Sequence, residues 1–290
     1  MGNSQSTPPP PEEAEFDKAW REISWSKNDK DTMVDELKNI KLFDPEVGQL
    51  RCLLLGQVGA GKSSFINSVK NVFEGRNVHG ALVAAGCGTT FTKIYKTHYI
   101  RNGTSRLPFA FNDVMGLEAG DGHGAHPDDI INALKGHLPE GFKFNPSSAL
   151  TDESEEYNKN PSLSDKVHCL VYVIPADKVS IMSQDVINKM KSIRDKASQL
   201  EIPQVIVMTM PDKACNLVGR DLKKMYTSKA IKQKMQMCSN ELGIPMNCIL
   251  PVKNYHEETH LDNDMDILIL NALTQIMNYA NDYLWNLQQK

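Results

Sequence analysis

The 290-residue sequence is poor in the features that mark secreted, membrane-spanning or nucleic-acid-binding proteins. It has six cysteines, Cys52, Cys87, Cys169, Cys215, Cys238 and Cys248, and no C-x-x-C pair. Cys52, Cys169 and Cys248 fall in apolar, strand-like stretches. Scattered thiols of this kind argue against a zinc site or a disulfide framework and for a reducing compartment. Basic residues are not in excess: 32 Lys and Arg stand against 36 Asp and Glu, a net charge of −4. That balance leaves no electrostatic footprint for nucleic acid, and none is expected as a partner. No apolar run approaches the ~20 residues of a transmembrane helix. Nor is there a charged-then-apolar secretory leader. The expected location is the cytoplasm.

Against these absences, 40% hydrophobic and 23% charged residues suit a globular core. Residues 1–14 are polar and proline-rich, with Pro8 to Pro11 consecutive, and are expected to be a disordered tail. Residues 15–290 are expected to form one domain. Phe16, Ala19, Trp20 and Ile23 recur at helical spacing, as do Met33, Leu37 and Ile40, which predicts two short helices. Strand patterns follow at Arg51–Leu55, Lys93–Ile100, Pro108–Asn112, His168–Ile174, Gln204–Met208 and Cys248–Leu250. Helical patterns cover Asp128–Leu138, Gln184–Leu200 with Ser183 as N-cap, Arg220–Leu242 before Gly243, and Asp264–Leu287. Between Asn145 and Lys166 the chain is Ser-, Asn- and acid-rich and reads as a loop. The alternation predicts a three-layer α/β fold, a mainly parallel sheet with helices on both faces.

Gly56 to Ser63 read Gly-Gln-Val-Gly-Ala-Gly-Lys-Ser, a full match to the phosphate-loop pattern G-x-x-x-x-G-K-[ST]. It lies between a strand and a helix, the context that the motif requires of a P-loop NTPase. Gly56, Val58, Gly59, Ala60, Gly61, Lys62, Ser63 and Ser64 are the expected phosphate-binding residues. Their backbone N–H groups would converge on phosphate at a helix N-terminus. Lys62 would meet the β- and γ-phosphates, and the Ser63 hydroxyl would ligate Mg²⁺. Asp113-Val-Met-Gly116 fits D-x-x-G. Asp113 is a further Mg²⁺ candidate, and the Gly116 N–H is placed to sense a γ-phosphate. Leu117 and Glu118 stand where fast GTPases carry a water-orienting glutamine, so unaided hydrolysis is expected to be slow. His123 and His126 are alternative groups in the same loop. Thr89, Thr90 and Thr92 precede the second strand, and Thr90 and Thr92 are taken as switch metal ligands. Thr209-Met-Pro-Asp212 follows the fifth strand in the place of [NT]-K-x-D. Asp212 would accept hydrogen bonds from guanine, and Met210 would cover the base by packing. Lys253, after the sixth strand, completes the base site. The expected ligands are therefore GTP or GDP with Mg²⁺.

Met1-Gly-Asn-Ser-Gln-Ser6 fits the N-myristoylation pattern M-G-x-x-x-[ST], with Gly2 as acceptor. Glu12, Glu13 and Glu15 follow, and no Lys or Arg precedes Lys18. A single acyl chain implies reversible membrane contact.

Three segments carry a family likeness: Ala19-Trp-Arg-Glu-Ile-Ser-Trp25, Leu53 to Asn67 around the phosphate loop, and Pro251-Val-Lys-Asn-Tyr255. From about residue 16 onward the chain resembles the interferon-induced protein 44 and 44-like family. The resemblance implies a G domain of the dynamin, septin and immunity-associated GTPase type. It also implies an interferon-induced, cytoplasmic role in innate antiviral response. Longer members add an N-terminal TLDc domain; these residues do not include it, and nothing of that domain carries over. The expected activity is guanine-nucleotide binding with slow GTP hydrolysis. The alternative is a nucleotide-stabilised interaction protein without meaningful turnover, working through a homodimer or an unknown partner.

Overall fold

Apolar residues on both sides of each central strand dictate a sheet covered on both faces, and the chain folds that way. The structure, a computed structural model, describes residues 14–78, 93–120 and 122–290. Gly2, Cys87, Thr89, Thr90 and Thr92 lie outside the described residues, as does nearly all of the proline-rich tail. The strands are β1 (Leu50–Leu55), β2 (Lys96–Asn102), β3 (Ser105–Asp113), β4 (Cys169–Pro175), β5 (Gln204–Thr209) and β6 (Ile249–Pro251). They form one six-stranded sheet in the order β2-β3-β1-β4-β5-β6. Every pairing is parallel except that of β2 with β3, which form a hairpin. The helices are α1 (Lys27–Lys38), α2 (Lys62–Glu74), α3 (Pro127–Lys135), α4 (Gln184–Gln199), α5 (Pro211–Ala214), α6 (Asn216–Arg220), α7 (Lys229–Leu242) and α8 (Asn263–Gln288).

Strand periodicity divides the core in two. On β1, Leu53 and Leu55 face α3, α4 and α7, while Leu50, Cys52 and Leu54 face α1, α2 and α8. β4 repeats the division: Leu170, Tyr172 and Ile174 on one side, Cys169, Val171 and Val173 on the other. This is why the strands read as continuous apolar runs. The chain leaves β1 toward β3 on one flank and toward β4 on the other. The end of β1 is therefore the topological switch point, where open α/β sheets form their ligand crevice.

Three sequence expectations need correction. Phe16–Ile23 is not a helix. It runs irregularly against the start of α7, with the Phe16 N–H donating to the Thr227 carbonyl and the Trp20 N–H to the Tyr226 carbonyl. Its apolar side chains find their burial there: Trp20 packs edge-on against Tyr226 at 5.3 Å. Those tertiary hydrogen bonds replace the internal ladder that a helix would supply. The helix expected from Arg220 begins only at Lys229, because the Ser228 hydroxyl caps it by accepting from the Ile231 N–H. β2 starts at Lys96 rather than Lys93, since the stretch before it pairs instead with 142–144, through Tyr95 N–H to the Phe142 carbonyl and Phe144 N–H to the Lys93 carbonyl.

Candidate functional site

The phosphate loop leaves β1 and closes on the first turn of α2. Gly61 caps that helix with φ 95°, a left-handed conformation that glycine adopts without penalty. The N-terminus of α2 thus points its unpaired N–H groups and positive dipole end into the loop. Lys62 is buried within it. Its Nζ donates to the Gly56 carbonyl at 3.1 Å and the Gln57 carbonyl at 3.2 Å. Burial pulls its pKa below the usual lysine range, and the Asp113 charge partly restores it. A buried cation of this kind is predisposed to gain an anion.

The structure brings Ser63 and Asp113 together, the Ser63 Oγ donating to Asp113 Oδ2 at 3.2 Å. Asp113 ends β3, which pairs in register beside β1. A hydroxyl beside a carboxylate is a hard-oxygen donor set that suits Mg²⁺. The D-x-x-G segment then crosses under the loop. A Cβ on Gly116 would lie 2.8 Å from the Val58 N, so only glycine permits this approach. Leu117 donates its N–H to the Gly56 carbonyl at 3.0 Å, and its side chain is fully buried. His126, one of the two loop histidines, caps α3 by accepting from the Asp128 N–H.

Base-site candidates lie across the loop. The Thr209 Oγ donates to the Ala60 carbonyl at 2.7 Å, so this hydroxyl ties β5 to the phosphate loop rather than facing a base. Met210 has φ 54° and ψ 40°, a left-handed backbone at a residue that is not glycine. Strain of this kind clusters at functional sites. It turns the chain so that Pro211 can start α5 with Asp212 in its first turn. Lys253 pairs with Glu258 at 2.8 Å. Burial opposes its charge, but the Glu258 hydrogen bond and the charges of Glu258, Asp212 and Asp262 hold its pKa above the usual value. Asp212 and Lys253 therefore share one electrostatic neighbourhood. Gly59 and Ser64 complete the loop and the first turn of α2.

Sequence reasoning passed over two contributors. Asn254 donates from Nδ2 to the Gly61 carbonyl at 3.2 Å and keeps a buried Oδ1 without a hydrogen-bond partner. The only signal for it was its place after Lys253. Lys189 of α4 holds the loop after Gly116, donating to the Glu118 and Gly120 carbonyls at 2.9 and 2.8 Å. It reads in sequence as one more polar residue on an exposed helix face.

With the geometry in hand, comparison with known proteins gives close relatives. Interferon-induced protein 44-like of Homo sapiens is 32% identical over 269 residues, covering 92% of this chain and 59% of that protein. Interferon-induced protein 44 of Mus musculus is 34% identical over 258 residues, covering 88% and 60%. The Homo sapiens interferon-induced protein 44 is 34% identical over 259 residues, covering 88% and 58%. The chain thus spans about three-fifths of the length of these relatives. No family model matches. A solved structure of an SsGBP variant, 14% identical, covers 82% of this chain and 56% of its own with a TM-score of 0.37, too loose a fit to bear on function.

Proposed function

Over the part of its relatives that it spans, the chain belongs to the interferon-induced protein 44 and 44-like family, and on that footing we propose that it binds GTP and GDP with Mg²⁺ and hydrolyses GTP slowly. One observation carries the reading. A complete phosphate loop at the sheet's switch point sets Lys62 inside it, Ser63 against Asp113, and Gly116 against its backbone. The Thr209–Asp212 turn and Lys253 stand nearby, the first tied to Ala60 by Thr209 and the second flanked by Asn254, which is tied to Gly61. Lys62 and the α2 N-terminus supply the positive field for β- and γ-phosphates. Ser63 and Asp113 would hold Mg²⁺, with Thr90 or Thr92 as further ligands; when bound, the ion neutralises phosphate charge. Asp212 accepts from guanine, and Met210 and Lys253 flank the base.

Slow turnover follows from Leu117. Its buried side chain can neither orient water nor accept a proton. Intrinsic switches without an assisting residue turn over at roughly 10⁻⁴ to 10⁻² per second. The same residue favours the second reading, a nucleotide-stabilised interaction protein, because Lys62 already bonds its own loop and Leu117 puts an apolar side chain where a water-orienting group would stand. The relatives' names support an interferon-induced protein; to that the proposal adds a cytoplasmic role in innate antiviral response. Gly2 acylation would add reversible membrane contact, and intact-mass measurement after co-expression with an N-myristoyltransferase tests it.

Calorimetry with GTP, GDP and ATP tests the nucleotide reading. We expect both guanine nucleotides to bind more tightly than ATP. Lys62→Ala removes most of the affinity. Asp212→Ala relaxes base choice, since leaving a guanine donor unpaired costs ~1–3 kcal/mol. Equal GTP and ATP affinities would sink the guanine assignment. Turnover of ~1 per second by a monomer would contradict the rate expected of an unassisted switch.

A further inference from the structure

Lys189 sits on α4, whose opposite face is buried through Val186, Ile187, Met190 and Ile193. Its stem crosses from that helix to the loop after Gly116, and its Nζ meets three backbone carbonyls: Gly120 at 2.8 Å, Glu118 at 2.9 Å and His123 at 3.4 Å. An ammonium has three N–H donors and no acceptor, so this arrangement saturates it. Backbone carbonyls turned onto one point repel one another unless a cation holds them. The stretch of loop that Lys189 gathers is the one that fixes Gly116. The Ala125 N–H donates to the Gly116 carbonyl, Leu117 forms a bridge with Gly124 on one side and with Gln57 of the phosphate loop on the other. Lys189, a side chain from outside the phosphate loop, thus braces the segment that runs from Leu117 to the Gly124–Ala125 contacts with Gly116 and Leu117.

We propose that Lys189 is a positioning residue for γ-phosphate recognition, one that sets the preference for GTP over GDP by holding the Glu118, Gly120 and His123 carbonyls and, through them, Gly116. This deepens the nucleotide reading above and rests on it. The two nucleotides differ only in the γ-phosphate, and Gly116 is the group placed to meet it. Loosening the loop penalises GTP and spares GDP, whose phosphates contact Lys62 and the α2 N-terminus. The consequence also runs the other way: a γ-phosphate that draws Gly116 toward it pulls on α4, giving the nucleotide a handle on a surface helix.

The test compares Lys189→Met with wild type and with Lys189→Arg in titrations of GTP and GDP, each with Mg²⁺. Methionine keeps the length and packing of the stem and removes the donors. We expect Lys189→Met to lose about tenfold in GTP affinity while GDP affinity stays within about twofold, as removal of charge-assisted hydrogen bonds from a half-exposed group implies. Lys189→Arg, which keeps the charge, recovers part of the GTP loss. Hydrogen exchange of the nucleotide-free proteins gives an independent readout: the amides of Leu117 and Ala125 exchange faster in Lys189→Met than in wild type. Ser183→Ala removes the α4 N-cap without touching the clamp and controls for general loosening of the helix; it leaves the GTP-to-GDP ratio unchanged. Equal losses for both nucleotides, or unchanged amide exchange with a selective GTP loss, overturn the positioning role. If wild type binds neither nucleotide, the nucleotide reading itself fails, whatever the exchange shows.

Discussion

Met210 shows how one residue can serve position at the expense of stability. Its left-handed backbone, φ 54°, is a conformation that side chains disfavour, and such strain is worth of order 1–3 kcal/mol. The strain persists because both ends are held: Thr209 by its bond to the Ala60 carbonyl, Pro211 by burial at the start of α5. Met210→Gly relieves it and is expected to raise the unfolding free energy by about 1 kcal/mol. The same change removes the thioether from the edge of the proposed base site. A sulfur–ring contact contributes ~0.3–1.5 kcal/mol, so GTP binding should weaken by roughly twofold to tenfold. Urea unfolding and a GTP titration on one preparation check both halves. A variant that is neither more stable nor weaker in binding would leave the strained turn without a functional account.

Among the elements, α8 contributes most to the core on its side of the sheet. Thirteen of its residues are buried, from Met265 to Leu284, and the Asp262 carboxylate caps its start by accepting from the Asp264 and Met265 N–H groups. Leu273 is fully buried at its centre. Leu273→Ala should destabilise the fold by about 2–5 kcal/mol, the loss of transfer energy plus the cavity left behind. A denaturation midpoint unchanged by that substitution would mean that α8 does not hold the core. This helix was legible in sequence to within a residue or so because its apolar positions repeat over seven turns. α4 was legible for the same reason, with Ser183 in its expected capping place. The phosphate loop and its flanking elements were legible because the motif fixes both spacing and context. Segment 16–23 was misread because apolar spacing reports burial and not the partner that provides it; here the partner is the start of α7, more than 200 residues away. Lys189 and Asn254 were invisible for a related reason. Each acts by donating to backbone carbonyls, and a carbonyl leaves no trace in side-chain pattern.

At the scale of the whole molecule, two buried histidines make stability depend on pH. Burial, with Lys70 and Lys96 nearby, lowers the pKa of His98 to about 4. Burial likewise lowers that of His168 to about 4, despite its bond to the Leu163 carbonyl. The neutral His168 ring is built into the sheet, since its Nδ1 accepts the Arg51 N–H at 2.9 Å. Both pKa values are depressed in the folded chain. Their contribution is complete above the unfolded value of about 6.5 and is lost as pH falls toward 4. Each can remove up to about 3 kcal/mol across that window. Glu258, held down to about 2 against the effect of burial by Lys253 and nearby N–H groups, adds its own loss as pH falls from about 4.5 toward 2. The urea midpoint should therefore drop clearly from pH 7.5 to pH 5, and His168→Gln should flatten the dependence. Equal midpoints at the two pH values would refute it.

The supports of the phosphate loop also impose an order of events during synthesis. Gly56 to Ser63 leave a ribosome ahead of their supports: Thr209, which ties down Ala60, lies 149 residues later, and Asn254, which ties down Gly61, lies 193 residues later. The N-terminal segment waits as long: Arg21 donates to the carbonyls of Met246 and Ile249, and Asn263 to that of Trp25. Contacts of such long sequence separation carry their loop-closure entropy before they repay it, and they form late. A nascent chain therefore displays its nucleotide motif well before it has a site to hold a nucleotide. If GTP binds as proposed, it can select only finished molecules, and the first β-strand stays unpaired on both flanks until β3 and β4 arrive, a span in which no bound nucleotide can protect it.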